Sequence, residues 1–325
     1  MDFKIKFYVL LAKMAIKIDE KLPKGRIPPE HFAAIFRPDS GGPLGKGSYG
    51  QVFKVTHLPS AKEYALKLFE KESPENVVGI LTEIQIGMIL DHPNICKIHC
   101  FAEDDKAIYI IMDLIDGCNL LQFLKDYPGV LLKNPILFWK MAEHITAALE
   151  YLHSRGIVHC DIKLENIMVE ISKDSVIQYI KLVDFGFSRD VRDVSQFHGG
   201  TSHYKAPEIL LKCSRGFGTD IWAFGITVFA LITGNFPSQL ESKNPDDTQR
   251  KKEVKKKLRD LGSMPSDQPF DPFLDPQRDY SEIPDEVKAL IRSCLIVNQA
   301  SRPTAADLRR RIQKILSSFD KNGEA

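Results

Sequence analysis

The residues best suited to chemistry fall into clusters along the chain. Gly45-Lys46-Gly47-Ser48-Tyr49-Gly50 spells G-x-G-x-x-G, a pattern that lets backbone N–H groups come close to phosphate oxygens. Alone it fits a dinucleotide site, a plain glycine turn or a flap over phosphates. A dinucleotide site needs a helix directly after the glycines, whereas Gln51-Val52-Phe53-Lys54-Val55 alternates as a strand does, which favours a hairpin flap. Lys67 lies inside the strand-like run Tyr64-Ala65-Leu66-Lys67-Leu68. It is either an edge-strand lysine facing water or a cation that meets an anion. Glu83, ten residues before Pro93 on a helical stretch, is a candidate partner that would hold Lys67 on phosphates. Further on, His159-Cys160-Asp161-Ile162-Lys163-Leu164-Glu165-Asn166 and Asp184-Phe185-Gly186 gather acidic, amide and basic side chains. Taken singly, each of these reads as a turn-former in a loop.

The elements that must position these residues are visible in the hydrophobic pattern. Between Leu44 and Met112 short β-type runs at 51–56, 63–69 and 107–112 surround one helical stretch at 76–90, a small strand-rich unit. Beyond Asp116 the chain turns helical. Asn134-Pro135 gives an N-cap followed by proline at the first helical position, and Leu137, Met141, Ile145, Leu149 and Leu152 form one apolar stripe. Gly156 stands where a helix end favours a left-handed residue, and Ile157-Val158 then leads into the loop of Asp161. Residues 220–233 are apolar nearly all round but fewer than the roughly 20 that a membrane span needs, so they read as the buried axis of a second unit. Thr304 with Asp307 forms a capping box that opens a last helix.

With Ala206-Pro207-Glu208 downstream, these motifs stand in an order and spacing that resembles the eukaryotic-like protein kinase family. The resemblance covers about residues 44–316. It implies an α+β bilobal fold: a strand-rich N-lobe at 44–112, a hinge at 113–116, a mostly helical C-lobe at 117–316, and an ATP cleft between the lobes. Residues 1–43 would then be an extension and linker, and 317–325 a short tail. By position, the resemblance makes Asp161 the group that orients the acceptor hydroxyl and Lys163 the cation that neutralises the moving phosphoryl group. It makes Asn166 and Asp184 the ligands of Mg²⁺, or of Mn²⁺. Gly45, Lys46, Gly47, Ser48, Tyr49 and Gly50 would cover the ATP phosphates, with Lys67 on them and Glu83 behind it. Val52 and Ala65 would lie above the adenine, Met168 below it and Met112 at the back, with Asp113, Leu114 and Ile115 as the hinge. Asp161-Ile162-Lys163 and Thr201-Ser202-His203-Tyr204 are similar to serine/threonine kinases and imply a protein Ser/Thr acceptor. Arg302 would form a buried ion pair with Glu208, and Asp220-Ile221-Trp222 with Gly225 would start the central helix. The alternative is a kinase-like scaffold without transfer. It is disfavoured because Lys67, Glu83, Asp161, Asn166 and Asp184 are all present.

Two positions depart from the family pattern. Cys160 replaces an arginine that pairs with a phosphorylated activation segment, so a phosphate on Ser195 or Thr201 loses its bidentate partner. Activation without segment phosphorylation is expected, with Arg189 and Arg192 lying on that segment, itself mobile, and Cys160 an inert buried thiol. Gly87 stands four residues after Glu83, where the family places a large apolar side chain against Ile98, Phe185 and His159. That predicts a gap in the stack, which the extension at 3–18 or a partner would fill.

The 325 residues, 43% hydrophobic and 27% charged with a net charge of +1, describe an ordinary globular chain with no global field for nucleic acid. Six cysteines without a Cys-x-x-Cys pair argue against structural zinc and a disulfide scaffold, and for a reducing, cytoplasmic compartment. Nucleus or delivery into a host cell stays open. Residues 3–18 alternate at first and then run helically, but Lys13 and Lys17 interrupt the apolar stretch. They read as a packed amphipathic extension rather than a signal peptide or membrane anchor. Residues 21–42, rich in proline and glycine, read as a linker. The basic run from Arg250 to Arg259 is either a solvated helix face or a dock for an acidic partner.

Overall fold

The structure, a computed structural model, describes residues 22–47, 50–71, 74–171, 177–193, 202–210, 216–240, 246–262 and 270–321. They form two compact units that divide between Asp116 and Gly117.

The first unit contains β1 (Gly25–Ile27), α1 (Pro29–Ile35), β2 (Phe36–Pro38), β3 (Gly45–Gly47), β4 (Gly50–His57), β5 (Lys62–Glu70), α2 (Pro74–Ile89), β6 (Ile98–Glu103) and β7 (Ala107–Met112). The sheet runs β1-β6-β7-β5-β4-β2, with β3 paired to β4. Every pairing is antiparallel except β1 with β6. Alternation along β5 and β7 sends Leu66 and Ile111 into one apolar cluster with Phe32, Phe36 and Cys100. It sends Phe69, Ile108 and Ile110 into another with Ile80 and Ile84 of α2. The linker reading of 21–42 is corrected here, because residues 25–38 form β1, α1 and β2. Pro29 sits at the start of α1, where its missing N–H costs nothing, and Phe32, Ile35 and Phe36 are buried.

The second unit contains β8 (Gly117–Asn119), α3 (Leu120–Asp126), α4 (Val130–Lys133), α5 (Pro135–Ser154), β9 (Ile157–Val158), β10 (Ile167–Ile171), β11 (Ile177–Leu182), β12 (Arg189–Asp190), α6 (Pro207–Leu210), α7 (Phe217–Thr233), α8 (Asp247–Gly262), α9 (Asp285–Cys294) and α10 (Ala305–Lys321). The Asn134 side chain accepts from Leu137 N–H at 3.0 Å and starts α5. Gly156 ends it with φ +74°, a left-handed geometry that a Cβ would strain. Every α7 residue from Thr219 to Ile232 is buried, as expected of an axis. Arg302 donates to both Glu208 oxygens at 2.8 Å and also to Ile296, Gly218 and Val297 carbonyls. The fork is thus fully used, which a buried ion pair requires.

Candidate active site

In the first unit Lys67 is not an edge residue. It lies on β5, an interior strand between β4 and β7, opposite Val52 and Ile110. Its ammonium donates to both oxygens of Glu83, at 2.6 and 2.9 Å, and also stands 4.9 Å from the centre of the Phe69 ring. The helix bearing Glu83 is fixed by Ile80 and Ile84 in the apolar cluster below it, so the carboxylate is delivered by packing. The glycine hairpin starts where expected, with Gly45 opposite Val52 and Gly47 opposite Gly50. A Cβ on Gly50 would sit 2.2 Å from the Leu68 carbonyl oxygen, so β4 and β5 approach only if this residue is glycine. Ala65 is buried opposite Met112. Asp113 leaves β7 with its N–H bonded to the Lys97 carbonyl at 3.0 Å.

In the second unit the loop between β9 and β10 concentrates the polar residues. Asp161 Oδ2 accepts from Lys163 Nζ at 2.6 Å and from Asn166 Nδ2 at 3.0 Å, while Asn166 Nδ2 also reaches the Asp161 carbonyl at 3.0 Å. The Val183 N–H donates to the Asn166 carbonyl at 3.0 Å, which ties the start of the Asp184 loop to the Asp161 loop. Cys160 and Asp184 both take φ +66°, a region that costs about 1–3 kcal/mol for such residues and persists only where the surroundings enforce it. For Cys160 the enforcement is plain: buried Asp220 of α7 accepts from the N–H groups of His159 and Cys160 at 2.8 and 2.9 Å, and its Oδ2 lies 3.0 Å from His153 Nε2. His159 Nδ1 accepts from Asp161 N–H at 3.3 Å, and its ring meets Phe185 at 5.1 Å. Burial pushes the pKa of His159 down, so a neutral imidazole supports the loop.

The chain matches the model of the protein kinase domain over residues 39–312. It belongs to the eukaryotic-like protein kinase family. Calcium-dependent protein kinase 5 of Plasmodium falciparum is 32% identical over 80% of this chain and 42% of the relative. Calcium-dependent protein kinase 3 of Plasmodium yoelii yoelii is 31% identical over 82% and 45%. A serine/threonine-protein kinase of Drosophila melanogaster is 32% identical over 60% and 26%. The chain therefore spans less than half the length of these curated relatives.

Within this domain, Lys67 and Glu83 meet in the first unit, and Asp161, Lys163, Asn166 and the Asp184 loop meet in the second. Val52 and Met112 are half-buried, as are Leu114, Ile115 and Met168, with Met168 on β10 opposite Asn119 and Lys181. Lys46 is in β3, and Ser48, Tyr49, Ser195 and Thr201 lie outside the described residues. Three readings change. Cys160 is half-buried rather than buried, with its thiol 3.7 Å from the Val158 carbonyl. Arg189 sits in β12, paired to Val158 of β9. Gly87 leaves no gap: a Cβ there would lie 2.3 Å from Ile98 Cδ1. Sequence reasoning missed His99, whose Nε2 lies 2.8 Å from Asp113 Oδ1, and the anchoring by His153. A histidine two residues past Lys97 in an apolar strand was the only available signal.

Proposed function

We propose that this chain is an ATP-dependent protein serine/threonine kinase that transfers the γ-phosphate of ATP to a Ser or Thr hydroxyl of another protein. The observation that carries the reading is the grip of Lys163 and Asn166 on one oxygen of Asp161. It fixes a carboxylate beside a cation, the arrangement that takes a hydroxyl proton and steadies negative charge on the group being moved. Lys67, held by Glu83, orients the α- and β-phosphates under the 45–50 hairpin, with Val52, Ala65, Met112 and Met168 around the adenine and residues 113–115 bonding its edge. The donor set suits a divalent ion. Asn166 spends its side-chain nitrogen on Asp161, which leaves its side-chain oxygen Oδ1 as the atom to offer a metal, and Asp184 adds a carboxylate, so both provide the hard oxygens Mg²⁺ prefers and Mn²⁺ accepts. When bound, the ion neutralises phosphate charge.

The reading is tested by incubating the full chain with Mg·ATP and a peptide library, beside Asp161→Asn. Phosphate on Ser or Thr peptides, with turnover lost in the variant and ATP affinity kept, is expected. No transfer, or equal transfer by Asp161→Asn, overturns it and favours a nucleotide-binding scaffold.

The same proposal holds that turnover does not depend on phosphate at Ser195. Cys160 offers no guanidinium, Arg192 is bonded to Asp190 at 2.6 and 2.8 Å, and Arg189 to the Ser188 carbonyl at 2.6 Å. Ser195→Ala and phosphatase treatment should each leave turnover within about threefold, under ~1 kcal/mol. A larger loss, restored by rephosphorylation, shows that another basic residue has taken the missing role. The basic run lies on α8, with Val254 buried and Lys252, Lys256, Lys257 and Arg259 exposed; an acidic segment of a protein partner is the occupant its charge suits. No described helix is long and apolar enough to cross a membrane, and a cytoplasmic setting is part of the proposal.

A further inference from the structure

The outer face of α2 is built like a buried surface. Val78, Leu81 and Ile89 are 59%, 39% and 64% exposed, three of the eight large hydrophobic side chains that stand exposed among the described residues. Positions 78, 81, 85 and 89 fall on one side of a helix, and Gln85 completes the stripe. From Val77 to Ile89 the one charged residue is Glu83, and it is buried against Lys67. The contrast with α10 is direct, since that helix turns Arg310, Arg311 and Lys314 outward. A helix without a charged face is normally covered on every side. Ile80 and Ile84 account for the inner side only.

The path of the chain names the cover. β1 runs parallel to β6 in the register Gly25 with Cys100 and Ile27 with Ala102, so the chain upstream of Gly25 heads toward the Ile98 end of β6. Ile98 is the residue that packs against Gly87 of α2. Leu22 packs on the Phe32 and Phe36 cluster, on the sheet face opposite the one that carries α2. Residues 1–21 precede this point at the β1 edge of the sheet, where the neighbouring strand is β6, whose Ile98 meets Gly87 in the C-terminal half of α2. Among them Phe3, Phe7, Leu10, Leu11, Met14 and Ile18 supply apolar side chains, and Lys13 and Lys17 supply charge. The last turn of α2 has no basic residue, so lysines arriving there meet its negative dipole end. Reach is sufficient: residues 3–18 extend about 24 Å as a helix, and the stripe from Val78 to Ile89 about 17 Å.

We propose that residues 3–18 dock along the Val78, Leu81 and Ile89 face of α2. The segment covers the helix from outside and holds Glu83 against Lys67. The docking stands on packing alone, while its effect on turnover rests on the kinase reading above.

The test is amide hydrogen exchange on the full chain, comparing wild type with Ile89→Asp and with Leu10→Asp. In the wild type, amides of 3–18 should exchange at least tenfold more slowly than an unstructured peptide. Ile89→Asp should remove that protection, and Leu10→Asp, a change outside the α2 core, should speed exchange within 77–89. Unprotected 3–18 in the wild type, or protection indifferent to both variants, overturns the proposal. A dimer in sedimentation that Ile89→Asp dissolves while exchange of 3–18 stays unchanged also overturns it, by making a second copy the occupant. Protection with no phosphoryl transfer would sustain the docking and sink the catalytic reading, so the two fail separately.

Discussion

Replacing Gly87 with leucine isolates what packing decides in the helix that carries Glu83. A missing apolar side chain at this position reads as a vacancy, and filling a vacancy should stabilise. The structure reverses that sign. A Cβ on Gly87 would lie 2.3, 2.9 and 3.4 Å from Ile98 Cδ1, Cγ1 and Cβ, so the first added atom already collides and three more follow. Overpacking of this kind costs about 1–3 kcal/mol, and leucine calls for the upper end. Helix propensity returns about 1 kcal/mol relative to glycine. The net is a loss of ~2 kcal/mol, or a melting shift of about 3 °C downward for a chain of this size. Scanning calorimetry of Gly87→Leu and Gly87→Ala, alone and with Ile98→Ala, measures it. Truncating Ile98 removes the two closest atoms, so the pair should be less destabilised than the sum of its singles by about 1 kcal/mol or more. A Gly87→Leu protein that melts at or above the wild-type temperature, or strict additivity, would refute the reasoning.

Lys67→Met and Asp184→Ala should each reduce phosphoryl transfer at least a hundredfold while far-ultraviolet circular dichroism and melting temperature stay near wild type; undiminished transfer by either would sink the assigned site. Arg302→Ala should cost about 3–5 kcal/mol in urea melts, because it strands the buried Glu208 carboxylate, whereas a change under 1 kcal/mol would show that water replaces the guanidinium. His57, His144 and His159 all have pKa values lowered by burial, so the unfolded chain takes up protons at these sites first. Stability should therefore fall as pH drops below about 6.5, with a slope of up to ~1.4 kcal/mol per pH unit for each fully neutral histidine; equal urea midpoints at pH 7.5 and 5.5 would contradict this.

Several features were written in the sequence because they depend on neighbours a few residues apart. The Asn134 cap, the turn at Gly156 and the Thr304 with Asp307 box, whose side chains bond each other's N–H groups at 3.2 and 3.1 Å, need only local geometry. The unbroken apolar run of α7 likewise announced its burial. The order and spacing of the motifs around Asp161 and Asp184 marked the family, because loops that share one chemistry share one register. Tertiary structure alone decided the rest. The strands at 25–27 and 36–38 have three residues each, too few to show alternation, and β1 finds its partner across a long stretch of chain. Proline and glycine around them gave the look of a linker until Phe32 and Phe36 were seen in a core. Lys67 was ambiguous until β5 proved to be an interior strand, since a lysine's partner depends on which strands flank it. Gly87 and Ile98 lie on different elements, and only the distance between them shows that one side chain fills the space left by the other.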